Sequence, residues 1–226
     1  MLIAPLIVTL LSLLFALAVL RKWLHSHKVS EQYWTISLFF SFIGSLSYCI
    51  SVATVPHSAV WFRLYYLFGA MWMPLLMGLG SLGLVWRSRK VHLIATLIGG
   101  FGVIGSVLLL LAPIQSSALA TIDGGPGINV IIPGIWLPFL ILMNSLGASA
   151  VFLVALWSVY STFRHRSPLQ FLSGNMTLAI GVATISAAGT AARLGAPSLF
   201  WWTMVIGWCI TFSGYLILTP IKRFTS

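Results

Sequence analysis

Apolar residues run along the chain in long stretches that short polar segments interrupt. A window of about 19 residues, suited to finding membrane-spanning helices, detects seven such stretches. Each stretch has about the 20 residues that a helix needs to cross a bilayer. The predicted spans are 1–20, 34–55, 60–86, 92–112, 135–163, 174–193 and 198–220. The pattern predicts an all-α membrane protein, with a single seven-transmembrane-helix bundle over residues 1–226.

The composition supports a chain that is almost wholly embedded in a membrane. Apolar residues make up 59% of the 226 positions and charged residues only 6%, against roughly 25% charged in a soluble domain. There are twelve Lys and Arg but only two acids, Glu31 and Asp123, both in predicted loops. Proton relays and acid–base sites in membranes depend on buried ionisable groups. We therefore expect that the chain is not an enzyme and that it does not couple transport to protons.

The basic residues indicate an orientation. Ten of the twelve Lys and Arg follow the odd-numbered stretches, whereas only Arg63 and Arg193 lie at the other side of the predicted bundle. Because cytoplasmic connections carry the excess of Lys and Arg, we expect an external N-terminus and a cytoplasmic C-terminus in the cytoplasmic membrane of a bacterium or archaeon. The net charge of +10 is dispersed over four connection ends, where anionic lipids account for it. No nucleic-acid partner is expected.

The first stretch is predicted to be a retained helix. A cleaved signal peptide has its positive residues before the apolar stretch, whereas Arg21 and Lys22 follow it here.

Retinal, haem and metal ions lack their usual ligands in this sequence. A retinal Schiff base needs a lysine within the seventh helix, but Lys222 follows Pro220 at its end. All five histidines lie in predicted loops or at helix ends, so no haem histidine pair is expected. His25 and His27 have neither a second pair nor a nearby cysteine, which disfavours a metal site. A bound quinone or lipid remains open.

Polar and aromatic residues at depth are the candidates for ligand contact. Polar side chains within a membrane helix are normally directed away from lipid, and a buried indole N–H needs an acceptor. The predicted ligand-binding set is Trp72, Asn144, Ser186, Thr190 and Trp208. The alternatives are an interhelical hydrogen bond for Asn144 and plain packing for the two tryptophans.

Arg63 and Arg193 form a second candidate set. They lie at the outer ends of the third and sixth predicted helices. Together they could contact an anion or lipid headgroups, and snorkelling of each side chain to headgroups is the simpler alternative.

Other residues predict packing and surface roles. Trp61, Trp86, Trp201 and Trp202 lie near the predicted interfaces, where indole rings anchor membrane proteins. The sixth stretch carries small residues at four-residue spacing, which predicts close packing and a central position.

The connection 114–133 contains the turn formers Asp-Gly-Gly-Pro-Gly at 123–127. It is predicted to be a flexible connector, or else a small lid or partner contact.

Parts of the chain resemble known membrane proteins. The third stretch contains FRLYYLFGAMWMPLLMGLGSLGLV, which resembles the third helix of the seven-helix sensor region of bacterial histidine kinases. The second half is similar to an uncharacterised family of bacterial seven-helix membrane proteins through NSLGASAVFLVALWSVYSTFRHRS, SGNMTLAIGVATISAAGTAARLG and SLFWWTMVIGWCITFSGYLIL. The first resemblance implies a sensor, which would pass its signal to a separate chain because the sequence ends at Ser226.

Three function classes fit these features. The first is a non-catalytic accessory subunit, or a protein that holds a lipophilic ligand such as a quinone or lipid between helices three, five, six and seven. Its partners would be the bilayer, other membrane subunits or a second copy. The second is the stand-alone sensor. The third is a facilitator of small uncharged solutes, suggested by tryptophan and glycine six residues apart in both the third and the seventh stretch, as in a structural repeat.

Overall fold

Seven long helices make up most of the chain. The computed structural model describes residues 2–122, 124–165 and 168–219, and 83% of it is helical, with no strand among those residues. We number the long helices α1 (Ile3–Ser26), α2 (Val29–Ala53), α3 (Ala59–Leu82), α4 (Ser88–Leu111), α5 (Trp136–Arg164), α6 (Leu169–Arg193) and α7 (Pro197–Leu218). All seven are long and apolar enough to cross a membrane. The predicted all-helical fold with seven such helices is confirmed.

Several helices begin or end at other residues than the sequence predicts. α1 continues six residues beyond Leu20, since basic residues do not stop a helix, and ends where His27 adopts a left-handed φ of 52°. α3 ends at Leu82, four residues before the predicted boundary at Trp86. α6 begins at Leu169 rather than Gly174, directly after Pro168, and proline is well tolerated at a helix start. Pro220, the predicted end of the seventh span, lies outside the described residues.

Successive long helices alternate in direction. Ser12 on α1 shares a hydrogen bond of 2.9 Å with Ser41 on α2, and Gln170 near the start of α6 bonds to the carbonyl of Ile217 near the end of α7. We call the end that carries the α1–α2, α3–α4 and α5–α6 connections the basic end. Its described cations are Arg21, Lys22, Lys28, Arg87, Arg89, Lys90 and Arg164.

α3 is the central helix of the bundle. Within its most apolar stretch 61% of the residues are buried, compared with 28% in α6. The prediction of a central sixth helix is therefore wrong. Small residues on α6 serve mainly its pairing with α7, because a methyl group at Gly181 would lie 2.6 Å from the backbone nitrogen of Thr211. Small size shows that a backbone approaches another closely, and it does not show how many helices surround it.

Serines on α2 join it to both of its neighbours. Besides the contact with Ser12, the Ser37 hydroxyl donates a 2.7 Å hydrogen bond to the carbonyl of Met73 on α3. At Gly44 a methyl group would lie 2.6 Å from the backbone nitrogen of Gly69. These short side chains let the backbones of α1, α2 and α3 approach closely.

Candidate functional site

A π-helical segment in the middle of α3 forms one wall of an internal cavity. It spans Tyr65–Trp72, and the N–H of Met73 bonds to the carbonyl of Phe68, five residues earlier. A π turn is wider than an α turn and is found frequently at functional sites. Here it brings the consecutive residues Tyr65 and Tyr66, and then Gly69 and Ala70, to the same cavity.

Pro74 leaves one backbone carbonyl of α3 without its usual donor, and a side chain of α5 supplies a donor instead. In an α-helix the N–H of residue 74 would donate to the carbonyl of Ala70, but proline has no N–H. The side-chain amide of Asn144 on α5 donates a hydrogen bond to that carbonyl. α5 can approach because Gly147, one turn later, has no side chain that would collide with the Pro74 carbonyl. Asn144 thus has the interhelical hydrogen bond that was the alternative to ligand contact.

The cavity lies between α3, α5, α6 and α7 and has a volume of about 200 Å³. α5 and α6 present regular faces to it: Leu140, Asn144, Ala148 and Val151 on α5, and Val182, Ile185, Ser186, Gly189 and Arg193 on α6. Both sets follow the spacing of a single helix face. Ser186 and Arg193 are the exposed members of the lining. The exposed part of the lining therefore lies on α6.

Two buried indole groups in the cavity wall have no hydrogen-bond acceptor among the described residues. They belong to Trp201 and Trp208 on α7, whose side chains are 3% and 1% exposed. Tyr65 and Ser186 also line the cavity, and their hydroxyls make no hydrogen bond within the described chain. An unsatisfied buried donor costs about 1–3 kcal/mol, so these two indole N–H groups are the unusual polar feature of the wall.

A glycine-rich segment closes the cavity at the end opposite the basic end. Within this segment, residues 124–128, which we call the roof, Pro126 and Ile128 line the cavity. The Tyr48 hydroxyl donates to the carbonyl of Gly125 at 2.7 Å, and the Tyr66 hydroxyl donates to that of Gly127 at 3.2 Å. Two tyrosines from the helical bundle thus hold the roof.

The rest of the 114–133 connection also has ordered contacts. Gln115 donates from its backbone N–H to the Val130 carbonyl at 2.9 Å, and Ile132 donates likewise to Pro113 at 3.0 Å. Val130 and Ile131 are each 1% exposed. These contacts pack part of the connection against itself, and its role as a connector, a lid or a partner contact stays a prediction; Asp123 lies outside the described residues.

The structure brings part of the predicted ligand-binding set together. Asn144, Ser186 and Trp208 all line the cavity. Thr190 is exposed on α6 and lies outside the lining. Trp72 also lies elsewhere, because its indole N–H donates to the Ser106 hydroxyl on α4 at 2.9 Å. The ligand role of the three cavity residues stays a prediction.

The two arginines of the predicted anion site have different surroundings. Arg193 is exposed and lines the cavity. Arg63 donates to the carbonyl of Ala112, at the end of α4, at 2.8 Å and is not part of the lining. Arg63 therefore fastens α4 to α3, and only Arg193 is placed to meet a molecule in the cavity.

The anchoring role predicted for Trp201 is wrong, because its ring is buried inside the bundle. Trp202 is 52% exposed, but Trp201 is buried with its ring centroid 4.6 Å from that of Tyr48. The sequence does contain a signal for the burial of Trp201. Residues 201, 204 and 208 follow the i, i+3, i+7 spacing of one helix face, and all three line the cavity.

Comparisons with known proteins found no relative of this chain. The chain matches no family model, no curated protein and no solved structure. Within residues 2–122, 124–165 and 168–219, no group of three or more His, Cys, Asp or Glu could hold a metal ion. The cavity and its donors are therefore the basis for a functional proposal.

Proposed function

We propose that this chain is a membrane protein that binds a small, largely apolar molecule with carbonyl-type acceptors, such as a quinone headgroup, in the cavity between α3, α5, α6 and α7. The ligand enters from the bilayer at α6. The N-terminus lies outside the cytoplasmic membrane and the C-terminus inside. The binding needs no catalytic group. The chain functions either alone or as the ligand-holding subunit of a larger complex.

The observation that carries this proposal is the pair of indole donors without acceptors on Trp201 and Trp208. Indole N–H groups usually find a partner when they are buried. Two such donors in the wall of one cavity, with the Tyr65 hydroxyl nearby in the lining, favour a ligand that carries oxygen acceptors. Apolar lining from Met73, Leu140 and Met204 favours a ligand that is otherwise hydrophobic.

The size of the cavity limits the ligand. Its volume of about 200 Å³ is below the 300–1,000 Å³ typical of sites that enclose drug-sized molecules. The cavity therefore accommodates one ring or headgroup, and a longer tail would leave beside Ser186 and Arg193. A tail in that position would lie among the lipid chains, which suits a membrane-soluble ligand.

The first experiment is purification in mild detergent followed by native mass spectrometry of the chain and everything bound to it. The proposal expects one defined small molecule at about one copy per chain. A preparation that carries stoichiometric protein subunits and no small molecule would instead favour the accessory-subunit alternative. An empty chain that also fails to bind a short-chain benzoquinone would refute the proposal.

Substitutions then locate the ligand. Trp208→Phe removes one indole donor while keeping an aromatic ring, and we expect about tenfold weaker binding of the benzoquinone probe, from the loss of one buried hydrogen bond. Trp202→Phe is the matched control, because Trp202 is exposed on the same helix. Binding can be followed by the rise in unfolding temperature that a ligand produces. Equal binding by both variants would place the ligand elsewhere.

A further inference from the structure

α4 leaves an apolar groove on the other side of α5 from the cavity. The groove has a volume of about 680 Å³ and is lined by Leu79 and Leu82 of α3, Ile94 and Ile98 of α4, and Leu153 and Trp157 of α5, among others. α4 is the least buried of the seven helices, with 17% of its apolar stretch buried. The groove therefore lies beside a helix that packs only partly against the rest of the bundle.

The packing of α4 accounts for the shape of the groove. Its second half lies against α5, since a methyl group at Gly102 would be 2.8 Å from Met143 and one at Gly105 would be 2.7 Å from Phe139. In its first half, a methyl group at Gly99 would meet nothing within 4 Å. The first half is held instead to α2, through the 3.1 Å contact of His92 with the Tyr33 hydroxyl. The slot therefore opens toward the basic end.

The length of the groove matches one leaflet of a bilayer. Its wall on α5 runs from Leu146 to Trp157, which at 1.5 Å per residue is about 16 Å. Half of the hydrocarbon core of a bilayer is about 15 Å. A transmembrane helix of a partner would need about twice that length, whereas the acyl chains of a lipid from one leaflet fit it.

Unpaired cations stand at the basic end of the groove. Arg87 follows directly after Trp86, which lines the groove, and Arg89 and Lys90 come next. All three are exposed, and their side chains make no hydrogen bond or ion pair with any residue of the described chain. Arg164, at the end of α5, belongs to the same end of the bundle. Glu31, the one acid in the described ranges, is paired with Lys22 at 3.2 Å.

From this arrangement we infer that the groove between α3, α4 and α5 binds a phospholipid with an anionic headgroup. The acyl chains fill the slot beside Ile98 and Trp157, and the phosphate lies at Arg87 and Arg89. The inference rests on the proposed membrane location but not on the ligand of the central cavity. Cations near an anionic surface attract anionic lipid, so two of them give a clear preference over zwitterionic lipid.

The test uses the full-length protein in nanodiscs of equal phosphatidylglycerol and phosphatidylcholine, with bound lipid counted after detergent extraction. The unaltered chain should retain phosphatidylglycerol preferentially. The double variant R87Q/R89Q should lose that preference by about tenfold. Its matched control R21Q/K28Q removes two exposed cations at the same end, away from the groove, and should keep the preference.

A groove variant separates the acyl site from the charges. Ser149→Phe places a large ring in the slot, at an exposed lining position, and should lower retention of both lipids by about tenfold while the unfolding temperature stays close to that of the unaltered chain. An unchanged preference in R87Q/R89Q, an equal loss in R21Q/K28Q, or full retention in Ser149→Phe would each overturn the inference. So would a stoichiometric protein that crosslinks to the groove.

Discussion

The side-chain amide of Asn144 on α5 donates a hydrogen bond to the backbone carbonyl of Ala70 on α3. This pair joins two walls of the cavity near the point where α3 changes from π-helical to α-helical geometry. The carbonyl is available because Pro74 cannot donate to it. The bond therefore replaces part of the backbone hydrogen bonding of α3 with a contact between helices.

Replacing Asn144 with leucine should weaken the bundle only slightly. Hydrogen bonds between membrane helices are worth about 0.6 kcal/mol on average, so we expect Asn144→Leu to remain folded with an unfolding temperature lower by a few degrees. Ser145→Leu, at the exposed neighbouring position, is the control and should leave that temperature unchanged. Thermal unfolding in detergent gives the comparison, and complete loss of folding would contradict this modest role.

A double-mutant cycle tests whether Pro74 is the reason for the bond. Pro74→Ala restores an N–H that can donate to the Ala70 carbonyl. In that background, Asn144→Leu should cost less stability than it does alone, giving a nonzero coupling energy between two residues that share one acceptor. Strictly additive effects would show that Asn144 acts independently of the proline.

The roof depends on glycine at position 127. Gly127 has a φ of 65°, and a methyl group there would lie 2.5 Å from the Phe62 ring. Gly124 has a similar φ of 70°, but a methyl group there meets no described atom within 4 Å. Gly124→Ala should therefore cost about 1–2 kcal/mol from its backbone conformation alone. Gly127→Ala should cost roughly 1–3 kcal/mol more because of the steric clash.

Chemical denaturation of both variants in the same detergent measures this difference. Each value is compared with the free energy of unfolding of the unaltered chain. Equal losses for the two variants would mean that the Phe62 contact is absent, and the roof would then not be seated against α3.

The fold could be predicted from the sequence far better than the site. Runs of about 20 apolar residues indicate helices of spanning length whatever their neighbours are, and seven were found. The face that each helix turns inward is harder to predict, because lipid and protein interior are both apolar. Trp201 and Trp202 have the same chemistry and adjacent positions, yet one is buried and the other is half exposed.

One part of the site was predicted from the sequence: Asn144, a polar residue at depth. Pro74, which leaves a carbonyl without its helical donor, is a second signal in the sequence, but it was not among the predicted site residues. The roof could not be foreseen in the same way, because its contacts join Tyr48 and Tyr66 to Gly125 and Gly127, over 60 residues away. Turn formers indicate that a chain bends, and they do not indicate where the bend will lie.

Loss of the Tyr48 hydroxyl should loosen the roof. Tyr48→Phe removes the 2.7 Å hydrogen bond to the Gly125 carbonyl but keeps a ring that can pack against Trp201. A hydrogen bond of this kind contributes about 1 kcal/mol, so amide exchange in residues 124–128 should be about fivefold faster. Tyr160→Phe is the control, because Tyr160 is exposed and contacts Arg164 at the basic end. Hydrogen exchange with mass spectrometry gives both rates. An unchanged exchange rate in residues 124–128 of Tyr48→Phe would contradict a stabilising role for the Tyr48 hydrogen bond.

The orientation of the chain can be tested with single cysteines. Because Lys and Arg concentrate at the basic end, that end is expected to face the cytoplasm. In a Cys209→Ala background, which removes the exposed native thiol, Ser116→Cys should react with a membrane-impermeant maleimide in intact cells. His27→Cys, also at an exposed position but at the basic end, should react only after the cells are permeabilised. The reverse pattern would show that the basic end faces outward. The cations beside the α4 groove would then contact lipids of the outer leaflet.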